Sequence, residues 1–419
     1  MQWFFLVAAL FRLWLSLNVL RPRFAGPRAS AASFAFGWLT SELTLLVLVI
    51  DAAVVATAGM TGLLARWPGR LGAVAVAVAA LALLVDYRLS FRSRRVFADA
   101  LDEGLGENWQ DSIDEGLRER FATAVPWAAL LRPYRIRDRR VERVRDVVFT
   151  RAGGLDLKLD VYRPPGGAEG APCLLQIHGG GWMIGSKDEQ GLPLMAHLAK
   201  RGWVCFAIDY RLSPHATWPE HLVDCKRALA WIREHAAEYG GDPERVVVTG
   251  GSAGGHLSAL LALTPNDATF QPGFESADTS VLACIPFYGV YDWLDRGEHW
   301  HHGGLAEILE KKIVKGSREE KPRAYSTGSP IANVHADAPP FLVVHGDRDT
   351  LVPVEEARDF VAALRGVSHN PVAYAELPGA QHAFELFPSL RTFESCSAVE
   401  RFVGWVVSRA RRVEREAAA

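Results

Sequence analysis

One short stretch, residues 249–256 (Thr-Gly-Gly-Ser-Ala-Gly-Gly-His), constrains the fold of this chain more than any other. The mostly β-branched run at 245–248 predicts a buried strand before it, and the apolar run at 257–263 predicts a buried helix after it. So tight a turn excludes side chains at its outer glycines and exposes the hydroxyl of Ser252 at the helix N-terminus. The helix dipole favours negative charge there, so Ser252 is a predicted nucleophile. The alternative is a glycine-rich turn with a capping serine.

Strand-like and helix-like segments alternate from residue 146 onward. A hairpin is predicted at 147–162, because a Gly153-Gly154 turn separates two strands, the second of which alternates strictly. Further buried strands are expected at 173–177, 204–209, 246–249, 283–286 and 341–344. Helical stretches between them predict an α/β fold, with a mostly parallel sheet covered by helices on both faces. Ligands bind beyond the carboxyl ends of such strands, where the motifs described below are expected.

A second glycine-rich motif, residues 178–182 (His-Gly-Gly-Gly-Trp), follows the strand that ends at Ile177. Three consecutive glycines favour a backbone that approaches another group closely or adopts positive φ. Acyl transfer needs N–H donors about 3 Å from the oxyanion of the tetrahedral intermediate. Gly180 and Gly181 are predicted to supply two of these donors, and Ala253 the third. The alternative is a flexible glycine loop.

A serine nucleophile also needs a histidine base and an acid that orients it. Among thirteen histidines, His382 is distinguished by its place in a loop after the strand-like segment 373–377. The strand at 341–344 runs into an acidic turn that contains Asp347 and Asp349, and both compete for the role of the acid. The chain order serine, aspartate, histidine is that of the α/β-hydrolases.

Taken together, the segment 146–410 resembles the hormone-sensitive-lipase-like carboxylesterases of the α/β-hydrolase superfamily. That family carries His-Gly-Gly-Gly, an Asp-Tyr-Arg-Leu segment and a Gly-Asp-Ser-Ala-Gly-Gly elbow, which here stand at 178–181, 209–212 and 250–255. The resemblance implies Asp349 as the acid, since His-Gly-x-x-Asp-x-x-Val-Pro is the usual form, and leaves Asp347 to brace the loop. Two departures, Gly251 for an acidic residue and His256 for asparagine, point toward related subgroups such as kynurenine-formamidase-like enzymes.

The N-terminal region has a different character. Long apolar runs at 3–20, 43–64 and 71–87 predict a transmembrane region of two to three helices over residues 1–90. Arg12 in the first run is costly in lipid unless it is paired, and Asp51 in the second run is its predicted partner. The alternatives are buried core helices and, for residues 1–20, a cleaved signal peptide. A multi-span N-terminus joined to such a domain resembles membrane-associated esterases of actinobacteria.

Arginines indicate the orientation of these spans. They are more numerous after the first run (Arg21, Arg23, Arg28) and after the third (Arg88, Arg92, Arg94, Arg95) than in the short link between (Arg66, Arg70). The positive-inside rule then places the N-terminus outside and the catalytic domain in the cytoplasm. The five cysteines show no paired spacing, and Cys173, Cys205 and Cys284, which stand in apolar strand-like segments, are expected to be buried apolar residues. This weakly favours a reducing compartment.

Residues 91–145 are predicted to be an amphipathic helical and arginine-rich linker or cap. One helix is expected around 96–105, and a second is expected because Trp109, Ile113, Leu117 and Phe121 recur every four residues. In the lipases and esterases that this chain resembles, helices before the first strand often cover the mouth of the active site, so the resemblance implies that role for these helices, close to the bilayer. The arginines at 132, 135, 137, 139, 140, 143 and 145 suit anionic headgroups or a solvated linker equally well.

The catalytic domain is expected to span 146–413, with a lid insertion at about 294–335. The lid contains His299, His301 and His302, which invite a metal hypothesis, but no Cys or carboxylate spacing supports it. A pocket or surface loop is the favoured interpretation. No cofactor and no metal are expected.

We therefore expect a multi-pass, membrane-anchored serine carboxylesterase or lipase that hydrolyses apolar carboxylic esters through an acyl-enzyme. The expected partners are a small-molecule or lipid ester and the membrane. A formal net charge of −2 gives no argument for nucleic acid binding. An amidase, formamidase or acyltransferase on the same triad remains the first alternative. A non-catalytic binding protein on the hydrolase fold and a membrane scaffold are the others.

Overall fold

The computed structural model describes residues 1–122, 124–134, 138 and 140–418, and it contains one eight-stranded sheet. The strands are β1 (Glu142–Ala152), β2 (Leu155–Arg163), β3 (Ala171–Ile177), β4 (Val204–Ile208), β5 (Gly241–Gly251), β6 (Cys284–Phe287), β7 (Phe341–Gly346) and β8 (Val372–Leu377). Their order is β1-β2-β4-β3-β5-β6-β7-β8. The β1–β2 and β2–β4 pairs are antiparallel, and all pairs among the remaining strands are parallel. The predicted hairpin and mostly parallel sheet are confirmed.

Helices occupy both faces of the sheet and also precede it. The α-helices are α1 (Gln2–Leu20), α2 (Pro27–Glu42), α3 (Thr44–Met60), α4 (Trp67–Ser90), α5 (Ser93–Leu105), α6 (Glu115–Arg118), α7 (Trp127–Leu130), α8 (Leu192–Ala199), α9 (Glu220–His235), α10 (Ala253–Leu263), α11 (Gly304–Ile308), α12 (Pro322–Thr327), α13 (Val354–Val367) and α14 (Leu390–Ala418). A π-helical turn, Leu309–Ile313, follows α11.

The sheet is the centre of two large apolar clusters, one on each face. Every residue of β3 is buried, as is every residue of β4, because neighbouring parallel strands and helices cover both faces. Cys173, Cys205 and Cys284 are buried and free, as the sequence predicted, and Cys225 and Cys396 are buried and free as well. Since β3 and β5 to β8 run in one direction, the loops after them meet at one edge of the sheet.

Three of the N-terminal helices pack side by side. The Trp3 and Trp67 rings, at the starts of α1 and α4, lie 5.1 Å apart, and near the other ends Val19 and Asp86 both accept from Arg348. These two helices are therefore parallel and end against the catalytic domain. Helix α3 runs in the opposite direction to α1 and α4. It begins at Thr44, whose hydroxyl donates to Ser41 O of α2, and near its end Gly59 lies beside Leu64, shortly before the start of α4. Both arginine-rich segments thus lie at the end of the bundle that faces the catalytic domain.

The predicted Arg12–Asp51 pair is confirmed. Arg12 Nε donates to Asp51 Oδ1 over 3.0 Å and Arg12 Nη2 donates to Oδ2 over 2.9 Å, a bidentate contact between α1 and α3. The Asp51 carboxylate is 7% exposed, so the pair lies inside the bundle. A charge at this depth needs its counter-ion.

By length and composition, two helical segments could each span a bilayer, Gln2–Leu20 and Trp67–Leu105, the second of which comprises α4 and α5. A third span counts only if α2 and α3 are taken as one segment bent by 83°. The predicted middle span, 43–64, is shorter than expected, because Leu43 interrupts the helix at one end and left-handed Gly62 follows its other end. Helix α3 therefore has 17 residues.

Residues 91–145 are only partly as predicted. The helix around 96–105 is confirmed as α5, but the predicted second helix is wrong, since extended backbone at Ile113 and Asp114 separates a 3-10 turn at 109–112 from α6. Packing outweighs the four-residue periodicity here: the Asp114 N–H binds Ser408 Oγ and its carboxylate binds Arg411, both on α14. Arg135, Arg137 and Arg139 of the predicted basic stretch lie outside the described residues.

Replacing Asp51 with Ala is expected to destabilise the N-terminal bundle by about 3–5 kcal/mol, because Arg12 would remain buried without its counter-ion. Replacing both residues with leucine is expected to recover most of that loss. Thermal unfolding of the detergent-solubilised protein, followed by circular dichroism, measures both effects. A double variant as unstable as the single one would contradict this prediction.

Candidate active site

The nucleophile candidate lies at a strained turn between β5 and α10. Ser252 has φ 58° and ψ −122°, and its N–H donates to Phe287 O over 3.0 Å. A Cβ at Gly254 would lie 2.1 Å from the carbonyl oxygen of Ile177, so only glycine fits there. The strand, tight turn and helix predicted from the sequence are confirmed, and Ser252 stands at the N-cap of α10. Positive φ at a non-glycine residue costs energy that surrounding packing must supply.

His382 and Asp349 are hydrogen-bonded to each other. His382 Nδ1 lies 2.6 Å from Asp349 Oδ2, and the other carboxylate oxygen accepts from the N–H groups of Leu351 and Val352. Burial raises the pKa of Asp349, but His382, together with a second imidazole at His345, outweighs burial and holds this pKa below its ordinary value. Asp349 is therefore a buried carboxylate in its charged form.

The loops that carry these two residues are fastened to each other. Gln381 Oε1 accepts from the N–H of Thr350 over 2.7 Å and from the N–H of His382 over 3.0 Å. Asp347 Oδ1 accepts from the Gly379 N–H over 2.7 Å. Asp347 thus contacts the loop of His382, and Asp349 contacts the imidazole itself.

The glycine loop after β3 has the backbone that its sequence predicted. Gly180 and Gly181 have φ of 109° and 58°, and a Cβ at Gly180 would lie 2.0 Å from Ile184 O. The Gly179 N–H donates to Gln190 Oε1. Among the described residues, no acceptor is bonded to the N–H of Gly180 or Gly181. Both glycines line the same cavity as Ser252 and Ala253, so their amides are available to a ligand there.

Two other histidines lie near this loop with different surroundings. Burial lowers the pKa of His178 to about 4 and that of His256 to about 3, so both are neutral at neutral pH. His178 Nδ1 bonds to Gly179 O, while His256 accepts from Trp182 Nε1 and donates to Gly328 O. These imidazoles hold the glycine loop and its surroundings in place. Among the described histidines that line the cavity, His382 is the one hydrogen-bonded to a carboxylate.

A buried polar chain, which the sequence analysis missed, passes beneath Ser252. Gln190 Nε2 donates to the Tyr288 hydroxyl over 3.0 Å, and that hydroxyl donates to Glu385 Oε2. A Cβ at Gly251 would lie 2.5 Å from Gln190 Nε2 and 2.6 Å from the Tyr288 oxygen. Glycine therefore stands where the resembling family has an acid because Tyr288 occupies that space. Gly251 in place of the family's acidic residue was the sequence signal for this difference. It did not identify Gln190 and Tyr288 as the residues that fill the space.

Ser252 and His382 share a cavity of about 520 Å³, within the range of small-molecule sites. One wall is α2, whose Phe34 ring lies 5.8 Å from that of His382. The cavity-lining residues of α2 are Pro27, Ser30, Ala31 and Phe34. No described residue in 91–145 lines this cavity, so the prediction that those helices cover its mouth is wrong. They pack instead on β8 and α14, because their apolar stripe faces the sheet.

The predicted lid insertion, 294–335, supplies another part of the wall through Leu305 and Ile308. Its three histidines have separate partners. His299 Nε2 lies 2.7 Å from Asp359 Oδ2, the His301 ring contacts Phe24, and His302 Nε2 lies 3.1 Å from Ser30 Oγ. In the described part of the chain, no three His, Cys, Asp or Glu side chains are grouped to hold a metal ion.

Comparison with known proteins agrees with this architecture. The BD-FAE family model matches residues 159–364. Over 409 residues the chain is 43% identical to the probable carboxylic ester hydrolase LipM of Mycobacterium tuberculosis, covering 96% of this chain and 93% of LipM. The chain belongs to the LipM-like carboxylic ester hydrolases of the α/β-hydrolase superfamily. An alignment of this extent includes the N-terminal helices as well as the sheet.

Two further similar proteins match a smaller share of the chain. The esterase LipQ of the same organism is 47% identical over 259 residues, which span 61% of each chain. The structure of Thermogutta terrifontis esterase 2, phosphonylated by sarin, is 30% identical with a TM-score of 0.50 and covers 57% of this chain and 84% of that one. This LipM-like protein is accordingly an enzyme that hydrolyses carboxylic esters. Because these relatives are named as esterases, an ester substrate is favoured over the amide of the alternative amidase function.

Gly180→Ala in this enzyme is expected to lower kcat about 10²–10³-fold, because the new Cβ would displace the loop and its N–H groups from the cavity. Gly166→Ala is the matched control, since Gly166 also has positive φ but nothing lies within 4 Å of its Cβ position. Steady-state hydrolysis of a soluble ester tests both variants. Equal losses of kcat would contradict the prediction.

Proposed function

We propose that this enzyme is a membrane-anchored serine esterase in which Ser252 is the nucleophile, His382 the general base and Asp349 the orienting acid. The observation that carries the proposal is the 2.6 Å His382–Asp349 hydrogen bond beside a cavity that Ser252 also lines. A serine hydroxyl is a weak nucleophile until an imidazole accepts its proton in the transition state. Asp349 holds one imidazole nitrogen and stabilises the imidazolium that forms.

The reaction follows from these roles. Ser252 Oγ attacks the ester carbonyl carbon while its proton passes to His382 Nε2, and the carbonyl oxygen becomes an oxyanion. Collapse of this intermediate breaks the bond to the alcohol oxygen, which takes the proton from His382. Water then attacks the acyl-enzyme with His382 as base again, releasing the carboxylic acid and restoring Ser252.

The oxyanion is proposed to be held by the N–H groups of Gly180, Gly181 and Ala253. Support comes from the positive φ of both glycines and from the position of Ala253 at the N-terminus of α10. Donors fixed by the fold need no reorganisation as charge develops, and the helix dipole adds to their effect.

Membrane anchoring is proposed from the surface of the N-terminal helices. Large apolar side chains are exposed along them, namely Trp3, Phe4, Val7, Leu10, Phe11, Leu17, Val49, Ile50, Val54, Trp67, Leu71, Val74, Val78, Leu81, Leu84 and Val85. On a water-soluble protein, an exposed apolar surface of this extent would promote aggregation, whereas in a membrane lipid would cover it. Helices α1 and α4 would be two of the spans, and α3 would be the third, since its 17 residues reach the lower limit for crossing a bilayer. The N-terminus would then lie on the side opposite to the catalytic domain. The arginine-rich segments favour the cytoplasm for that domain.

The substrate is proposed to be an apolar ester that comes from the bilayer. Helix α2 makes an angle of 83° with α3, so it would lie along the membrane surface where α3 enters it. The same helix forms a wall of the cavity beside His382. The cavity mouth would therefore lie at the height of the headgroups, within reach of an acyl chain that remains in the membrane.

A fluorescent fluorophosphonate tests the nucleophile and the anchor together. Isolated membranes that contain the wild-type enzyme are expected to show a labelled full-length band, and membranes with Ser252→Ala to show none. Ser258→Ala is the matched control, because Ser258 is a buried serine of α10 that bonds to Gly255 O. Label on Ser252→Ala would exclude the proposed nucleophile. Label recovered only in the soluble fraction would exclude the anchor.

The apolar cavity predicts a preference for longer acyl chains. Each methylene buried is worth about 0.8 kcal/mol, so kcat/KM is expected to rise about fourfold per CH₂ until the cavity is full. Ala31→Phe should remove this rise and spare acetate esters, since Ala31 lines the cavity; Ala35→Phe, one turn further along α2, should retain it. A p-nitrophenyl ester series measures the slope. A flat series for the wild type would contradict the prediction.

A further inference from the structure

Buried charged residues lie where the N-terminal helices end against the catalytic domain. Asp86, near the end of α4, is 0% exposed. Its Oδ1 accepts from Arg348 Nη1 over 2.9 Å, and its Oδ2 accepts from Ser41 Oγ over 2.7 Å. Arg391 Nη2 lies 3.5 Å from Oδ2. A hydrophobic anchor has no need of such a group, since apolar length alone holds a helix in the bilayer.

Arg348 connects this carboxylate to the loop of the acid. It directly precedes Asp349 in the chain, and its guanidinium donates to Val19 O at the end of α1 as well as to Asp86. Its backbone N–H donates to Ala380 O over 3.0 Å, two residues before His382. The side chain of Arg348 therefore holds the helices while its backbone holds the loop of the base.

Arg391 connects the same carboxylate to the loop of the base. This side chain, at the start of α14, is 1% exposed. Its Nη1 donates to Glu42 Oε1 over 2.9 Å, and its Nη2 donates to Pro378 O over 3.2 Å. The backbone lies directly on this cluster, since a Cβ at Gly379 would be 2.9 Å from Asp86 Oδ1 and 2.7 Å from Arg391 Nη2.

We propose that Asp86 is a positioning residue of the active site, which acts through Arg348 and Arg391 to fix the loops of Asp349 and His382. The N-terminal helices thus complete the catalytic centre in addition to anchoring it. The proposal rests on the triad proposed above. Its physical basis is that a buried charge network adds little net stability, while removal of one member leaves the other charges buried without a partner. Loss of one partner frees the loops, and a displacement of about 1 Å between reacting groups costs roughly 10²-fold in rate.

Asp86→Asn tests this in the full-length enzyme in detergent micelles, with the active enzyme counted by fluorophosphonate labelling. We expect kcat on p-nitrophenyl acetate to fall about 10- to 100-fold and KM to stay within about twofold, since Asp86 does not line the cavity. The pH profile of kcat is expected to move, because freed loops would change the distance between the Asp349 carboxylate and the His382 ring. Asp86→Glu should recover part of the lost kcat.

Asp51→Asn is the matched control. Asp51 is also a buried carboxylate of the N-terminal helices with an arginine partner, but it contacts α1 and neither catalytic loop. We expect fewer folded molecules of this variant, with wild-type kcat per labelled molecule and an unchanged pH profile. Equal losses of kcat in the Asp51 and Asp86 variants would overturn the proposal, because bundle stability alone would then explain them. Wild-type kcat in Asp86→Asn would overturn it too.

If Asp86→Asn does not fold, Ser41→Ala tests the same proposal. It removes one 2.7 Å hydrogen bond to Asp86 and one of 3.0 Å from Arg391, and leaves every charge in place. We expect kcat to fall about three- to tenfold with the same change of pH profile, and an unchanged kcat and profile would overturn the proposal. A wild-type enzyme that takes no fluorophosphonate label would reject the proposed nucleophile itself, an outcome distinct from failure of the Asp86 proposal.

Discussion

The hydrogen bond between His382 and Asp349 is the contact on which the rest of this site depends. It joins loops that follow different strands, β7 and β8, so it forms only when both strands are in register in the same sheet. Asp349 is buried, and its second oxygen is occupied by two backbone N–H groups, so the carboxylate cannot turn away from the imidazole. Water is largely excluded, which makes the contact stronger and its geometry more restrictive than at a surface.

Much of the surrounding structure restricts these two loops. Gln381 links them through backbone N–H groups, and Asp347 accepts from the N–H of Gly379 in the histidine loop. The guanidinium groups of the half-buried Arg348 and the buried Arg391 extend the same network to the N-terminal helices. Cavity, loops and helix ends therefore form one packed unit. The alignment with LipM covers nearly the whole chain, so it includes both the N-terminal helices and the catalytic loops.

The sequence predicted local features well where a residue type has few alternatives. The turn around Ser252, the positive φ of Gly180 and the pairing of Arg12 with Asp51 each follow from strong constraints, namely close backbone contact or the cost of an unpaired buried charge. Prediction failed where periodicity alone was used. The regular spacing from Trp109 onward did not produce one helix, because contacts with α14 outweigh helix propensity in a short segment.

What the sequence by itself determined is local: a strand–turn–helix with Ser252 at its turn, a glycine loop with positive φ, and the aspartate and histidine of the proposed triad in loops after strands. These follow from steric and electrostatic rules that act over a few residues. The tertiary structure alone decided that α2 forms the cavity wall and that Asp86 meets Arg348 and Arg391. Those contacts join residues some 260 to 305 positions apart in the chain. A local pattern carries no information about such pairs, because the packing of whole helices against the sheet determines which side chains meet.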